Sequence, residues 1–101
     1  MKAGLFVLAI TPIVSAWNLQ LWTSDGRKAT MHGTADSGCK NIAFTPVLNV
    51  NRAKFDPKTD WHTDPKTFEL YVNKNCDGLS YREGSGDHKL TARKIRSYKV
   101  Y

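Results

Sequence analysis

The stretch Leu70-Tyr71-Val72-Asn73-Lys74-Asn75-Cys76-Asp77-Gly78-Leu79-Ser80-Tyr81 decides how this chain folds. With Phe68-Glu69 before it, it opens on apolar and polar residues in alternation, the period of a strand with one buried face. Asp77-Gly78 is a tight-turn pair, and residues 79–83 return from it as a second strand. Gly84-Ser85-Gly86 then loops, and a basic strand over residues 94–101 closes the chain. The same grammar occurs once upstream. Leu19-Gln20-Leu21-Trp22 alternates, Asp25-Gly26 turns, residues 27–32 return, and Gly33 ends the hairpin. A loop over 33–38, an apolar segment over 39–44, a break at Pro46 and a strand over 50–55 follow. No window joins helical periodicity to a cap and a closing glycine, so the reading is all-β.

The two halves match in order, as an internal repeat does. Leu19-x-Leu21-Trp22 answers Phe68-x-Leu70-Tyr71, Gly26 and Gly33 answer Gly78 and Gly84, and Ile42 answers Leu90. Val50-x-x-x-Lys54-Phe55 answers Ile95-x-x-x-Lys99-Val100. The expected core follows from these apolar positions: Leu19, Leu21, Ile42, Val50, Phe55, Phe68, Leu70, Leu90 and Val100.

Residues 66–101 resemble a βγ-crystallin Greek key. They carry the aromatic Tyr71, a short hairpin, Gly78, Ser80, a second glycine at Gly84, and the closing strand Ile95-Arg96-Ser97-Tyr98-Lys99-Val100. Residues 17–57 are similar to a degenerate first copy. Cys76 stands where many members carry an aromatic; with a second cysteine in the first half, it is similar to small secreted fungal members. The resemblance implies a βγ-crystallin-like sandwich of two Greek-key motifs, with motif one at 17–57, a linker at 58–65 and motif two at 66–101. It also implies that Gly78 supplies the positive φ of a folded hairpin. Many members hold Ca²⁺ through a loop rich in carboxylate, carboxamide and hydroxyl oxygens. Here the matching positions read Ala92-Arg93-Lys94-Ile95-Arg96-Ser97 and Val47-Leu48-Asn49-Val50-Asn51-Arg52. Cations at ligand positions repel a cation, so no metal and no cofactor is expected.

The first residues read as a secretory signal over 1–16. Met1-Lys2 starts it, Gly4-Leu5-Phe6-Val7-Leu8-Ala9-Ile10 supplies the apolar run, and Val14-Ser15-Ala16 ends it on small residues. That run is shorter than the roughly 20 residues of a membrane-spanning helix. The single expected domain, 17–101, is too small for a dinucleotide-binding domain or a TIM barrel. In a small secreted chain, Cys39 and Cys76 are expected to pair as one disulfide rather than stand as reactive thiols. The loop so closed is about 37 residues, worth about 4 kcal/mol in the chain-entropy account.

The groups available for acid–base chemistry are His32, His62, His88, Glu69 and Glu83 with scattered Asp, Ser and Arg. A ribonuclease-like set of Glu69, Arg82, His88 and His62 can be written down, but Glu69 and Arg82 fit as outward strand residues, and no catalytic residue is assigned. Asp60-Trp61-His62-Thr63-Asp64 reads as a solvated loop rather than a metal site. Charge is more telling. The chain carries 15 basic and 9 acidic residues, a formal +6. Lys89, Arg93, Lys94, Arg96 and Lys99 lie in residues 88–101 with no acid among them. Alternation puts Lys94, Arg96 and Tyr98 on one side of that strand. Such a strand is either a surface for an anionic partner or a cationic edge that resists pairing with another chain. Cell-wall polymer and phospholipid headgroups come before nucleic acid as such partners. The expected protein is an extracellular monomer that acts by binding a host or competitor protein or an anionic surface. The fungal resemblance implies an effector or toxin-like role against a host or competitor. The alternatives are a killer-toxin-like antimicrobial acting on membranes or walls, and a secreted ribonuclease-like hydrolase.

Overall fold

The computed structural model describes residues 16–57 and 65–101. The expected signal segment, apart from Ala16, and the linker residues 58–64, with the His62 loop, lie outside the described residues. Leu19 and Leu21 alternate with Asn18, Gln20 and Trp22, and they form β1 (Trp17–Thr23), whose inward positions are fully buried. The chain turns at Gly26, where φ is +86°, a conformation open to glycine at no steric cost. It then returns as β2 (Lys28–Gly33). The further strands are β3 (Lys40–Asn41), β4 (Leu48–Asp56), β5 (Phe68–Tyr71), β6 (Leu79–Glu83), β7 (Gly86–Ile95) and β8 (Ser97–Val100). A single 3₁₀ turn, Lys74–Cys76, lies between β5 and β6.

Two four-stranded sheets result, and every neighbouring pair is antiparallel. Sheet one runs β2-β1-β4-β7 and sheet two runs β3-β8-β5-β6. Within each half, the first strand lies between the second and the fourth, while the third strand joins the other half's sheet. The registers correspond as well. Leu19 pairs with Phe55 and Leu21 with Ala53 in sheet one; Phe68 pairs with Val100 and Leu70 with Tyr98 in sheet two. The exchange of third strands makes the two sheets one cooperative unit, because neither half completes a sheet alone.

The core lies between the sheets. Leu19, Leu21, Val50, Phe55, Phe68, Leu70 and Val100 are buried as expected, while Ile42 and Leu90 are half-buried against them. Trp17, Ala29, Leu48, Ala53, Ile95 and Tyr98 complete it. Cys39 and Cys76 form the expected disulfide, with Cα atoms 5.9 Å apart. It ties the start of β3 to the turn after β5, beside the Asn75 backbone N–H, which donates to Asn41 Oδ1 at 2.8 Å.

Three expectations need correction. The closing strand expected over 94–101 is broken at Arg96: β8 begins at Ser97, while Lys94 and Ile95 end β7, a ten-residue strand from Gly86 that the sequence pattern does not predict. At Arg96 the chain crosses from one sheet to the other, and the Arg96 backbone N–H donates to the Tyr71 carbonyl at 2.9 Å. Lys94 and Tyr98 therefore share no face: Lys94 is exposed on sheet one, and Tyr98 is buried in sheet two. The apolar segment over 39–44 yields only the two-residue strand β3, with Phe44 41% exposed, because its pairing with β8 ends within a few residues.

Candidate functional site

The β5–β6 hairpin folds back on itself through Gly78, whose φ of +77° a side chain rarely adopts. The Val72 N–H donates to the Gly78 carbonyl at 3.0 Å. Ser97, fully buried at the start of β8, clamps the fold: its hydroxyl donates to the Asn73 carbonyl at 2.5 Å and accepts from the Cys76 N–H at 2.9 Å. The corresponding place in sheet one, opposite Trp22, is held by Arg52. The two hairpins are thus held differently: one is a fold clamped by Ser97, and the other a turn braced by Arg27, whose guanidinium donates to the Pro46 and Val47 carbonyls.

The five cations singled out in residues 88–101 do not form one patch. Arg93 lies half-buried between the sheets' edges; its guanidinium donates to the Ser80 and Thr91 carbonyls and sits 5.6 Å from the centre of the Tyr81 ring. Arg96, at the crossover, donates to the Val72 carbonyl at 2.9 Å. Both guanidinium groups brace the β5–β6 hairpin. Lys99 lies on the outer face of sheet two, with its ammonium 5.7 Å from the Tyr101 ring. Lys89 and Lys94 point outward from sheet one.

Of the ribonuclease-like set, Glu69 and Arg82 do come together, and His88 stands apart. Glu69 is outward by alternation but not solvated: Tyr71, Tyr101 and Arg82 cover it, leaving it 4% exposed. The Tyr101 hydroxyl donates at 2.6 Å and the Arg82 Nε–H at 2.7 Å, and the Tyr71 hydroxyl also donates to the carboxylate. Burial pushes the carboxyl upward, but bonds from Tyr101, Tyr71 and Arg82 outweigh it and hold Glu69 below its ordinary value. Burial, with the bond to Glu69 added, pushes Tyr71 up to about 12. His88 lies instead among Phe68 and Tyr81, with its Nε2 3.0 Å from the Gly84 carbonyl. Glu69 holds a hydrogen-bonded structural cluster. Among the described residues no group of three or more His, Cys, Asp and Glu converges as metal ligands would.

A second arrangement was not foreseen. Lys28, Trp22, Arg52 and Lys89 are cross-strand partners in sequence across β2, β1, β4 and β7, so they form one row on the outer face of sheet one. The Arg52 guanidinium lies 4.1 Å from the centre of the Trp22 ring, and the Lys28 ammonium 5.1 Å from it. Asp87 fixes Arg52 from the other side through Nε at 2.9 Å and Nη2 at 2.6 Å. The bond from Arg52 holds the Asp87 carboxyl below its ordinary value, and the same bond raises Arg52. Beside the row, Asn18, Gln20, Lys54 and Asp56 line a polar groove of about 260 Å³. No single segment carries this pattern. Trp22 and Lys28 flank the first turn, Arg52 lies in mid-strand and Lys89 in the last third of the chain.

No family model, no curated protein and no solved structure matches this chain. The structure is all-β, with two four-stranded antiparallel sheets and one disulfide, and no described helix is long and apolar enough to cross a membrane.

Proposed function

We propose that the chain is an extracellular βγ-crystallin-like protein that acts by binding an anionic partner rather than by catalysis. The exchanged third strands, the positive φ at Gly78 and the clamp made by Ser97 support the Greek-key reading. The disulfide supports an oxidising compartment. The observation that carries the binding reading is the outer face of sheet one. There Lys28, Arg52, Lys54, Lys89 and Lys94 stand against Asp56 and Asp87. The engagement of Glu69 with three donors, and of His88 with a backbone carbonyl, counts against acid–base work by either group. The resemblance to small secreted fungal proteins supports an effector or toxin-like role against a host or competitor.

The test is retention of the oxidised protein on intact cells and on isolated wall material, with elution by a salt gradient. Retention that is lost between low and physiological salt is the expected result, since surface cations are screened over about a Debye length of 10 Å at 0.1 M. Passage through both materials at low salt, or RNA cleavage abolished by His88→Ala, would overturn the reading.

A further inference from the structure

We propose that the outer face of sheet one is the docking surface for a linear polysaccharide bearing carboxylates, an inference that rests on the binding reading above. The row Lys28–Trp22–Arg52–Lys89 crosses all four strands, and three strand spacings place its end cations about 14 Å apart. A chain of anionic units laid across the strands meets charge at both ends. Between them the Arg52 guanidinium is held in place by Trp22 on one side and Asp87 on the other. Five cations against two carboxylates leave the face net positive.

The polar groove selects among polyanions. It is small, about 260 Å³, and lined by polar side chains alone. Asn18 and Gln20 provide amide donors and acceptors for hydroxyls, Asp56 accepts from a hydroxyl, and Lys54 pairs with a carboxylate. This mixture of amide, carboxylate and amine suits a hydroxyl-rich acidic sugar. A phosphodiester group carries no hydroxyl to donate to Asp56, whereas each ring of an acidic sugar chain does. An unpaired base needs an open aromatic face, and the aromatic of this row, Trp22, has Arg52 and Lys28 against its ring. A membrane wants apolar side chains to insert, and the positions around Trp22 are Asn18, Gln20, Thr30, Lys54 and Lys89.

The experiment uses the oxidised protein and four probes: polygalacturonate, its methyl-esterified form, yeast RNA, and phosphatidylcholine vesicles containing phosphatidylserine. Binding to polygalacturonate should exceed that to the other three and weaken with salt. Esterification should remove most of it, because it removes the charge and keeps the rings. The triple variant Lys28→Gln, Lys54→Gln, Lys89→Gln alters three exposed side chains. It should keep its melting temperature and lose affinity for polygalacturonate roughly tenfold or more. Lys99→Gln, on the other sheet, should bind as the parent does. Equal binding by the triple variant would place the site elsewhere. Tighter binding of RNA or vesicles would refute the polysaccharide and leave the anionic-partner reading standing. Retention on wall material with no affinity for polygalacturonate would overturn this inference alone, and failure of both would overturn the broader reading with it.

Discussion

Leu70 shows how much one side chain carries. It is fully buried in β5, paired with Tyr98 on one side and Tyr81 on the other. Leu70→Ala should destabilise the protein by about 2–5 kcal/mol, read as a drop in the urea midpoint at constant slope. Glu69, the next residue back, faces the opposite way and gives the protein a pH signature. Its folded carboxyl titrates below the unfolded value near 4.3. Its contribution is therefore complete above that value and lost as pH falls through the folded one. Tyr71 works at the other end. Raised from 10.0 to about 12, its contribution is complete below pH 10 and lost as pH rises toward 12. Urea midpoints measured from pH 7 down to 3 should fall for the parent and fall less steeply for Glu69→Gln. Parallel curves for the two proteins would remove Glu69 from this account.

The β5–β6 hairpin depends on cations that the charge pattern had suggested for a partner. Arg93 donates to the Ser80 carbonyl and Arg96 to the Val72 carbonyl, one at each arm of the hairpin. Reversing all the charges of this segment would then mix two effects. Arg93→Glu and Arg96→Glu should each lower the melting temperature, because each leaves carbonyls without a donor and sets a carboxylate against them. Lys94→Glu, on an exposed outward position of β7, should leave it nearly unchanged. Equal shifts from all three would mean that the guanidinium contacts hold nothing. β7 and β8 also show why a basic run is a poor guide to a surface. A crossover at Arg96 distributes its charges over two sheets facing opposite ways.

The two sheets share one core, and the exchange of β3 and β7 ties each half of the chain to the other. The disulfide adds a covalent tie across the same division, since Cys39 precedes β3 and Cys76 ends the turn after β5. Its loop spans 37 residues, so reduction should lower stability by up to about 4 kcal/mol through the unfolded chain's entropy. Urea unfolding with and without reductant measures this. An unchanged midpoint would show that the exchanged strands alone hold the halves together. Loss of the transition altogether would place the margin of this small protein below the tie's own contribution.

Phe68, Leu70, Leu19 and Leu21 could be read as core from the chain alone, because alternation with period two is local and declares which face of its own strand each residue takes. The disulfide was readable for a similar reason: the only two cysteines of a small chain have one possible partner each. Trp22 and Arg52 were not readable as neighbours. They lie 30 residues apart, and which strands stand side by side is settled by the joint packing of the eight described strands, not by the periodicity of any one. The same holds for Glu69, whose alternation marks it as outward while Tyr101, from beyond the last strand, folds over it. Local pattern in the sequence thus determined β1, β2, β4, β5 and β6, their inner faces and the tie between Cys39 and Cys76. Only the tertiary structure decided where β7 leaves one sheet and β8 enters the other, and which cations share a face. Cross-strand register is a long-range outcome of packing and crossover geometry.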